Sequence, residues 1–411
     1  MKIVVQKFGG TSLSTKKKRI KCADRVIELK KKGESPVVVV SAIGRKGDSY
    51  ATDSLLNLVD LDFSQKDDLD MLMSCGEIIS AVVFSNILQE KNYKAKSLSG
   101  EMAGIITDNS YGNAQIKYIN IKYIKDLLEK DIIPVVAGFQ GRGENGFITT
   151  LGRGGSDTTA VALAVALNAK RVEIYSDVPG LFTADPKIVH EAKIIEKTEY
   201  EELFNMSYHG VKIVNIEAAE IALKSDDLIL ELKSASSQEK GTRVLKRVED
   251  NRISFNTKKY ARAITHIPEI VQISIKLKKN IDEDKRRLEI YKIFAKENIS
   301  LDMFSIAPQI LMFTLNRDNK EKAIEILNKL NVNFRLRENC VKISIIGTGI
   351  HGIPGVMEKI ANCLYKEKIE IFQTVDSHST ISFLIDEKNM SRTLKALHKE
   401  FNLGNDELSN N

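Results

Sequence analysis

A glycine-rich stretch near the middle of the chain has the residue types that bind anions. Residues 151–157 read Leu-Gly-Arg-Gly-Gly-Ser-Asp, and the uninterrupted run at 158–167 predicts a helix directly after them. The bare backbone at Gly154 and Gly155 lets several N–H groups converge on an anion, and the helix dipole favours negative charge at the same place. The stretch is a candidate anion site, although a glycine-rich turn before a helix can also be only a turn.

Three polar side chains add to the chemistry of this stretch. Arg153 offers a planar fork that can grip a carboxylate or a phosphate in two places. Ser156 or Asp157 can cap the predicted helix.

The amino terminus contains a second candidate phosphate cradle. A predicted buried strand at 3–8 ends at Lys7 and Phe8 and continues through Gly9 and Gly10 into a predicted helix at about 16–32. Lys7 would place a point charge at the strand end. The spacing matches neither the Gly-Lys-Ser/Thr phosphate loop nor the three-glycine dinucleotide fingerprint, and a lysine at a strand end can simply be exposed.

Two hydroxyl residues follow a four-valine strand at 37–40, whose continuous apolar pattern is typical of a parallel sheet buried on both faces. Ser41 ends that strand, and Thr52 lies in the polar loop at 44–53. Ligands of open α/β sheets bind beyond the carboxyl ends of the strands, so both hydroxyls are candidates for ligand contact. Alternatively, they only finish turns.

Glu77 is an acidic residue within a predicted apolar helix at about 71–88. It is either a buried carboxylate that receives a cation such as a substrate ammonium, or an exposed helix residue.

Turn and acidic residues follow a further predicted strand at 172–175. Ser176, Asp177 and the stretch at 183–186 can hold a ribose and an adenine edge, or can be turns alone. Lys212 is a further cation that can also be plain surface charge.

The distribution of charge along the chain argues against nucleic-acid binding. The net charge is +6, but 61 Lys and Arg residues are interleaved with 55 Asp and Glu residues along the chain. Lysine runs at 16–18 and 30–32 occupy helix-like positions, so a solvated helix face explains them better than nucleic-acid binding does. A length of 411 residues predicts two or three domains, each with its own core.

Cysteine usage and apolar runs predict a location in the reduced cytoplasm. Cys22, Cys75, Cys340 and Cys363 are far apart, so they indicate neither a zinc site nor a disulfide framework. The chain opens on a predicted strand rather than a signal peptide, and no apolar run approaches the roughly 18 residues of a membrane span.

Strands and helices alternate over residues 1 to about 240, which predicts an α/β fold with a mostly parallel sheet between helices. We predict a first domain at 1–245 and a polar, charged linker at 246–260. Two β-α-β-β-α-type units are predicted at 261–336 and 337–404, weakly repeated in outline. Paired units of this kind at the end of an enzyme commonly regulate it, an analogy at the level of the fold.

These motifs together resemble aspartate kinases of the amino-acid-kinase superfamily. The matching blocks are 7–12, 151–157, and 175–178 with 182–186, in the family's order. In the last third, 347–356 is similar to the ligand loop of an ACT domain and 396–401 to its closing helix. The resemblance implies an amino-acid-kinase domain followed by two ferredoxin-like ACT domains.

The resemblance implies transfer of a phosphoryl group from ATP to the side-chain carboxylate of L-aspartate, giving ADP and 4-phospho-L-aspartate. This step leads to lysine, threonine, methionine and diaminopimelate. Magnesium would arrive with ATP rather than in a dedicated cage. A carboxylate is already a nucleophile at neutral pH, so the enzyme must mainly screen, align and stabilise charge.

Site roles follow from the resemblance, residue by residue. Lys7 would neutralise the transferring phosphoryl group, and Asp157 would orient the groups around it. Arg153 would clamp the α-carboxylate of aspartate, and Glu77 would receive its ammonium. The implied substrate-side set is Ser41, Thr52, Glu77, Arg153, Gly154, Gly155 and Ser156. The implied nucleotide-side set is Lys7, Phe8, Gly9, Gly10, Ser41, Ser176, Asp177, Leu181, Phe182, Thr183, Ala184, Asp185, Pro186, Lys212 and Ile213.

The ACT resemblance also implies an end-product amino acid as effector and a homo-oligomer, either a dimer or a tetramer. The implied effector residues are Ser300, Leu301, Asp302, His351, Gly352, Ile353, Pro354, Gly355, Val356, Glu370, Ile371, Asp376 and Ser377. The first unit departs from the family pattern because residues 278–287 are charged and lack the usual Pro-Gly loop. The second unit has Asp-Ser-His-Ser at 376–379, so its effector can differ from the commonest one. Whether the two units exchange a strand is left open by the sequence.

Two rival functions remain at this point. Another superfamily kinase, acting on acetylglutamate, carbamate or UMP, would share the glycine-rich lysine strand but not the Arg153 loop joined to ACT-like units. A ligand-sensing protein without catalysis would not need the intact Lys7, Glu77 and Asp157.

Overall fold

The computed structural model describes the chain except residues 212, 226, 238, 247–260, 278–281, 348 and 405–411. It divides into two compact units. The first contains Met1–Leu181 and Ile194–Arg252, and the second contains Phe182–Lys193 and Ile253–Asn411. The predicted linker at 246–260 lies almost wholly outside the described residues. The first unit differs from the predicted domain 1–245 because Phe182–Lys193 packs with the second unit.

The first unit contains twelve strands and eight helices among its described residues. The strands are β1 Ile3–Phe8, β2 Ser35–Val40, β3 Ala95–Leu98, β4 Ile105–Thr107, β5 Ile116–Ile119, β6 Ile133–Ala137, β7 Gln140–Gly143, β8 Ile148–Thr150, β9 Arg171–Ser176, β10 Lys197–Glu199, β11 Ile229–Ser234 and β12 Thr242–Leu245. The helices are α1 Gly10–Leu13, α2 Lys16–Lys31, α3 Thr52–Leu56, α4 Lys66–Glu90, α5 Lys122–Glu129, α6 Gly155–Ala166, α7 Tyr200–Tyr208 and α8 Ile216–Leu223.

Eight of these strands form one sheet in the order β10-β12-β11-β9-β1-β2-β6-β3. Every neighbouring pair is parallel except β11 and β12, which are antiparallel. The strands β5, β4, β7 and β8 form a second, smaller sheet. The predicted mostly parallel α/β fold is confirmed.

Helices cover both faces of the large sheet. The central strand β2 has apolar side chains on both of its sides, and both must be shielded from water. Val38 and Val40 pack into a cluster with side chains of α2 and α4. In the same cluster the ring of Phe8 stacks on those of Phe84 and Tyr175, with centroids 5.4 and 4.9 Å away. Helix α6 packs against β1, β2 and β9.

Helix α4 corrects the expectation that no apolar run approaches the length of a membrane span. It is 25 residues long, and an 18-residue window within it has a mean hydropathy of 1.7, enough to cross a membrane by length and composition. Half of that window is buried inside the unit, and the buried face carries Asp70 and Glu77. The core helix of a folded domain meets the same criterion, and buried carboxylates fit that description.

The second unit contains one six-stranded sheet among its described residues, in the order β14-β15-β13-β16-β18-β17. Its strands are β13 Ala263–Lys276, β14 Asp302–Ala307, β15 Ile310–Asn316, β16 Asn333–Ile346, β17 Gln373–Asp376 and β18 Thr380–Asp386. Its helices are α9 Glu283–Lys296, α10 Lys320–Lys329, α11 Val356–Lys366 and α12 Met390–Glu400.

Two βαββαβ modules share this sheet through the 14-residue strands β13 and β16. Residues 270–276 of β13 pair with β15, which belongs to the first module. Residues 263–267 of β13 instead pair with 342–346 of β16, the half that pairs with β18 in the second module. The second module therefore takes its outer strand from the chain segment that precedes the first, so the predicted boundaries at 261–336 and 337–404 do not separate two independent sheets.

Candidate active site

The loops after three neighbouring parallel strands, β1, β2 and β9, meet at one edge of the large sheet. The register aligns Phe8 at the end of β1 with Val40 of β2 and Tyr175 of β9. Beyond these positions the Gly9 N–H donates to the Tyr175 carbonyl at 3.1 Å, and the Ser41 N–H donates to the Phe8 carbonyl at 3.1 Å. The parallel register thus brings together residues that are far apart in sequence.

An ion pair between Lys7 and Asp157 lies at the centre of this edge. Lys7 Nζ is 2.6 Å from Asp157 Oδ1, and both side chains are mostly buried. Asp157 Oδ2 also accepts from the Asn215 N–H at 3.3 Å. The two predicted catalytic residues are therefore in direct contact in the structure.

The start of α6 differs from the prediction. The helix begins at Gly155, three residues before the predicted run, and its N-cap is Gly154 in the left-handed region at φ 79°. Neither Ser156 nor Asp157 caps it. The Asp157 side chain is consequently free to turn towards Lys7, and Ser156 is buried against Gly138.

Asn215 holds the glycine-rich loop in place, although the sequence did not single it out. Its side-chain amide donates to the Arg153 carbonyl at 3.0 Å and to Thr158 Oγ1 at 3.2 Å. A Cβ at Gly154 would stand 2.8 Å from Asn215 Cβ, which explains the glycine. Asn215 is also the N-cap of α8, a signal in the sequence that marks a helix start but not this contact. The Arg153 side chain itself is exposed.

Glu77 lies in the interior of α4 and is only 3% exposed. Its Oε1 accepts from the Ala42 N–H at 3.0 Å, whereas Oε2 is buried with no hydrogen-bond partner among the described residues. Burial raises the pKa of Glu77 to about 8, and the hydrogen bond from Ala42 opposes that rise. Glu77 is therefore a buried carboxyl group with one oxygen left without a hydrogen bond among the described residues.

Close packing of α4 on the loop after β2 positions this carboxyl group. A Cβ at Gly76 would stand 2.9 Å from both Ala42 Cβ and the Tyr50 carbonyl, so only glycine lets the helix approach so closely. Ser41 is half-buried at the start of this loop, and the half-buried Thr52 begins α3 at its end. The substrate-side candidates Ser41, Thr52 and Glu77 thus border one loop.

Arg45 is a second residue that the sequence did not single out. Its Nε donates to Thr11 Oγ1 at 2.5 Å, and its Nη2 lies 3.0 Å from Asp177 Oδ2. It links the loops after β1, β2 and β9. Nothing in the spacing of the sequence marks it, because its partners are 34 and 132 residues away.

The nucleotide-side candidates are divided between the two units. In the first unit Ser176 Oγ donates to the Val178 carbonyl at 2.9 Å, and the Leu181 N–H donates to Thr242 Oγ1 at 2.8 Å. Ile213 is half-buried in the first unit, and Lys212 lies outside the described residues.

Residues 182–186 pack in the second unit. The Ile264 N–H donates to the Thr183 carbonyl at 2.8 Å, and Thr183 Oγ1 lies 3.0 Å from His398 Nε2. Ala184 is buried in a cluster with side chains of β16, α11 and α12. Phe182, Asp185 and Pro186 are half-buried, and Asp185 Oδ1 accepts from the Lys187 N–H at 2.9 Å.

The effector candidates fall into two groups within the second unit. Asp302 Oδ2 is paired at 2.6 Å with Lys342, a buried residue of the other module. His351 Nδ1 lies 2.7 Å from Asp376 Oδ2, with both side chains more than half exposed. Gly352 and Gly355 have positive φ, and Gly355 is the N-cap of α11. The remaining candidates are exposed or half-buried except Val356, which is buried; they are Ser300, Leu301, Ile353, Pro354, Glu370, Ile371 and Ser377.

Among the described residues, no three His, Cys, Asp or Glu side chains cluster closely enough to hold a metal ion. All four cysteines are free thiols, and three of them are buried. Burial raises the pKa of the Cys22 thiol to about 12, so this group is not a nucleophile at neutral pH.

Comparison with known proteins agrees with this architecture. The model of the amino acid kinase family matches residues 2–229, and that of the ACT domain matches residues 335–399. Aspartokinase 1 of Bacillus subtilis (strain 168) is 39% identical over 405 residues, covering 98% of this chain and 100% of the relative. The aspartokinase of Geobacillus stearothermophilus is 36% identical over 414 residues, covering 98% of each.

A solved structure of E. coli aspartokinase III in complex with aspartate and ADP shares the fold. Its TM-score is 0.76 at 24% identity, over 97% of this chain and 99% of that one. Both aspartokinase relatives are more than a third identical to this chain over nearly its whole length, and family models match both its amino-terminal and its carboxyl-terminal part. This chain therefore belongs to the aspartokinase family.

Proposed function

We propose that this chain is an aspartate kinase that transfers the γ-phosphoryl group of ATP to the side-chain carboxylate of L-aspartate. The observation that carries the proposal is the Lys7–Asp157 pair, 2.6 Å apart at the edge of the parallel sheet and bordered by bare glycine backbone. Phosphoryl transfer requires screening of two anions and stabilisation of charge on the transferring group. Lys7 supplies the cation, and Asp157 orients it.

Aspartate binds between Glu77 and Arg153 in this proposal. Glu77 Oε2 has no hydrogen-bond partner among the described residues, so a substrate ammonium would satisfy it. Arg153 is exposed in a loop whose backbone Asn215 holds, and its guanidinium would clamp the α-carboxylate in two places. Ser41, Thr52, Gly154, Gly155 and Ser156 complete the substrate side.

ATP binds with its phosphates over Lys7, Gly9 and Gly10, next to Phe8 and Ser41. Mg²⁺ enters bound to ATP and belongs to the substrate, where it neutralises phosphate charge. Ser176, Asp177, Leu181, Lys212 and Ile213 are assigned to the nucleoside side. We also keep Phe182, Thr183, Ala184, Asp185 and Pro186 in this set, with Ala184 as a buried anchor rather than a contact.

A hydroxamate assay with MgATP and L-aspartate tests the activity. Trapping of an acyl phosphate by hydroxylamine is expected with aspartate and not with acetylglutamate, carbamate or UMP as acceptor. Transfer to one of those acceptors instead, measured as release of ADP, would assign the chain to another branch of the superfamily. ADP binding without transfer to any acceptor would favour a sensor.

We further propose that an end-product amino acid of the lysine, threonine, methionine and diaminopimelate pathways regulates the enzyme through the second unit. Its effector is received by the loop residues near His351 and Asp376, in a homo-oligomer of two or four copies. Calorimetry of the full chain with lysine, threonine and diaminopimelate separately would identify it. No heat with any of them would remove this part of the proposal. We propose a cytoplasmic location as well, which the free thiols support.

A further inference from the structure

The Arg45 guanidinium links two chain segments at the sheet edge where the candidate site lies. It contacts Thr11 in α1, which begins at the glycine turn formed by Gly9 and Gly10, and Asp177 in the turn after β9. Both turns belong to strands whose ends define the site. An exposed ion pair contributes little to folding stability, so stabilisation alone does not account for this arrangement.

The backbone beneath Arg45 is fixed by hydrogen bonds. The Gly44 N–H donates to the Gly10 carbonyl at 3.1 Å, which ties this loop to the glycine turn. The Arg45 N–H donates to Asp48 Oδ2 at 2.9 Å, and the Asp48 N–H donates back to the Arg45 carbonyl at 2.8 Å. The side chain is exposed, but the backbone that carries it is held by these hydrogen bonds, so ligand binding need not order the loop.

Arg45 brings a second cation to the glycine turn that Lys7 already faces. Lys7 Nζ is 3.5 Å from the place that a Cβ on Gly9 would occupy. A triphosphate carries more negative charge than one ammonium can neutralise, and a planar guanidinium donates to two phosphate oxygens at once.

We propose that Arg45 is a phosphate-contacting catalytic residue that exchanges Asp177 for the phosphates of the bound nucleotide. Asp177 holds the guanidinium over the glycine turn while the site is free of nucleotide. This inference rests on the proposed kinase function, because it requires a nucleotide at the glycine turn.

The test is ADP binding to the full-length chain by calorimetry with Mg²⁺ and without aspartate. Arg45→Gln is expected to weaken ADP affinity about 10- to 100-fold, the loss of one or two charge-assisted hydrogen bonds. The Michaelis constant for ATP should rise and kcat should fall, with the Michaelis constant for aspartate unchanged. Arg45→Lys should recover part of the affinity, because it restores the charge without the fork.

Lys46→Gln is the matched control, since it removes the same charge from the adjacent exposed residue. It should leave ADP affinity within about twofold of the parent. Thermal unfolding of Arg45→Gln should match that of the parent, which separates binding from folding. Parent-like ADP affinity in Arg45→Gln, or an effect on the Michaelis constant for aspartate alone, would overturn the inference while leaving the kinase function intact. Failure of the parent itself to bind ADP would overturn both.

Discussion

At the scale of single residues, the site depends on two carboxyl groups in different surroundings. Asp157 is paired with Lys7 Nζ at 2.6 Å, at the place where our proposal has the phosphoryl group transferred. Glu77 is buried without an ion-pair partner among the described residues, and burial raises its pKa to about 8. The first carboxylate is already paired in the free protein, whereas the second has one oxygen without a hydrogen-bond partner among the described residues.

Lys7→Met should lower kcat by at least about 10²-fold, because the cation that faces the transferring group is lost. Asp157 would then lie buried without its partner, so some loss of stability is expected too. Lys2→Met, on the exposed residue just before the same strand, is the control and should retain full turnover. The hydroxamate assay measures both, and a Lys7→Met enzyme within tenfold of the parent would take Lys7 out of the catalytic role.

Glu77→Gln should change the pH dependence of stability. The native state holds a proton on Glu77 up to about pH 8, whereas the unfolded chain releases it near pH 4.5. The parent therefore loses stability as pH rises from about 4.5 to 8, by a few kcal/mol in total, and the glutamine variant does not. The melting temperature of the variant, measured relative to that of the parent, should increase as the pH rises from 5 to 8.5.

Glu90→Gln, at the exposed end of the same helix, provides the comparison and should track the parent at every pH. A Glu77→Gln difference that does not vary with pH would mean that Glu77 is ionised in the free enzyme. In the parent, aspartate binding near pH 7 should release a proton from Glu77, seen as a binding enthalpy that depends on the buffer.

At the scale of elements, adjacent glycines after β1 have unequal roles. A Cβ at Gly10 would stand 2.5 Å from the Gly44 carbonyl oxygen and 2.7 Å from that of Ala42. A Cβ at Gly9 would meet nothing closer than 3.5 Å. Only Gly10 therefore permits the loops after β1 and β2 to approach each other.

Gly10→Ala should push these two loops apart, with a destabilisation of about 1–3 kcal/mol and a large drop in turnover. Gly9→Ala serves as the matched control and should cost less than about 1 kcal/mol, since its methyl group has ordinary contacts. Urea unfolding followed by the kinase assay measures both. Equal effects of the two substitutions would contradict the packing argument.

At the scale of the whole molecule, each of the two units is formed by two separate stretches of the chain. Residues 182–193 pack in the second unit, where Ala184 and Val189 are buried and Thr183 pairs with Ile264. They follow the turn after β9 that contains Asp177 in the first unit. A covalent link thus passes from the proposed nucleotide side into the core of the ACT unit and back.

A chain ending at residue 252 should therefore be cut by protease within 182–193, because the apolar partners of that segment would be missing. The full chain should resist cleavage there under the same conditions. Removal of only the last seven residues is the control and should leave the segment protected. Mass spectrometry of the fragments identifies the cut, and protection of 182–193 in the shortened chain would show that it packs without the second unit.

The sequence alone predicted the mostly parallel α/β fold and brought Lys7, Glu77, Arg153 and Asp157 forward as candidates. Strand patterns and glycine turns are local, so they can be read without knowing the partners. The family resemblance supplied the reaction.

Only the tertiary structure decided how these parts meet. It placed Asn215 under the glycine-rich loop, joined Arg45 to Asp177, and buried Glu77 against Ala42. It also gave the second ACT module a strand from residues 263–267. Each of these depends on hydrogen bonds or close packing between segments that lie tens of residues or more apart, and no local pattern specifies such a pairing.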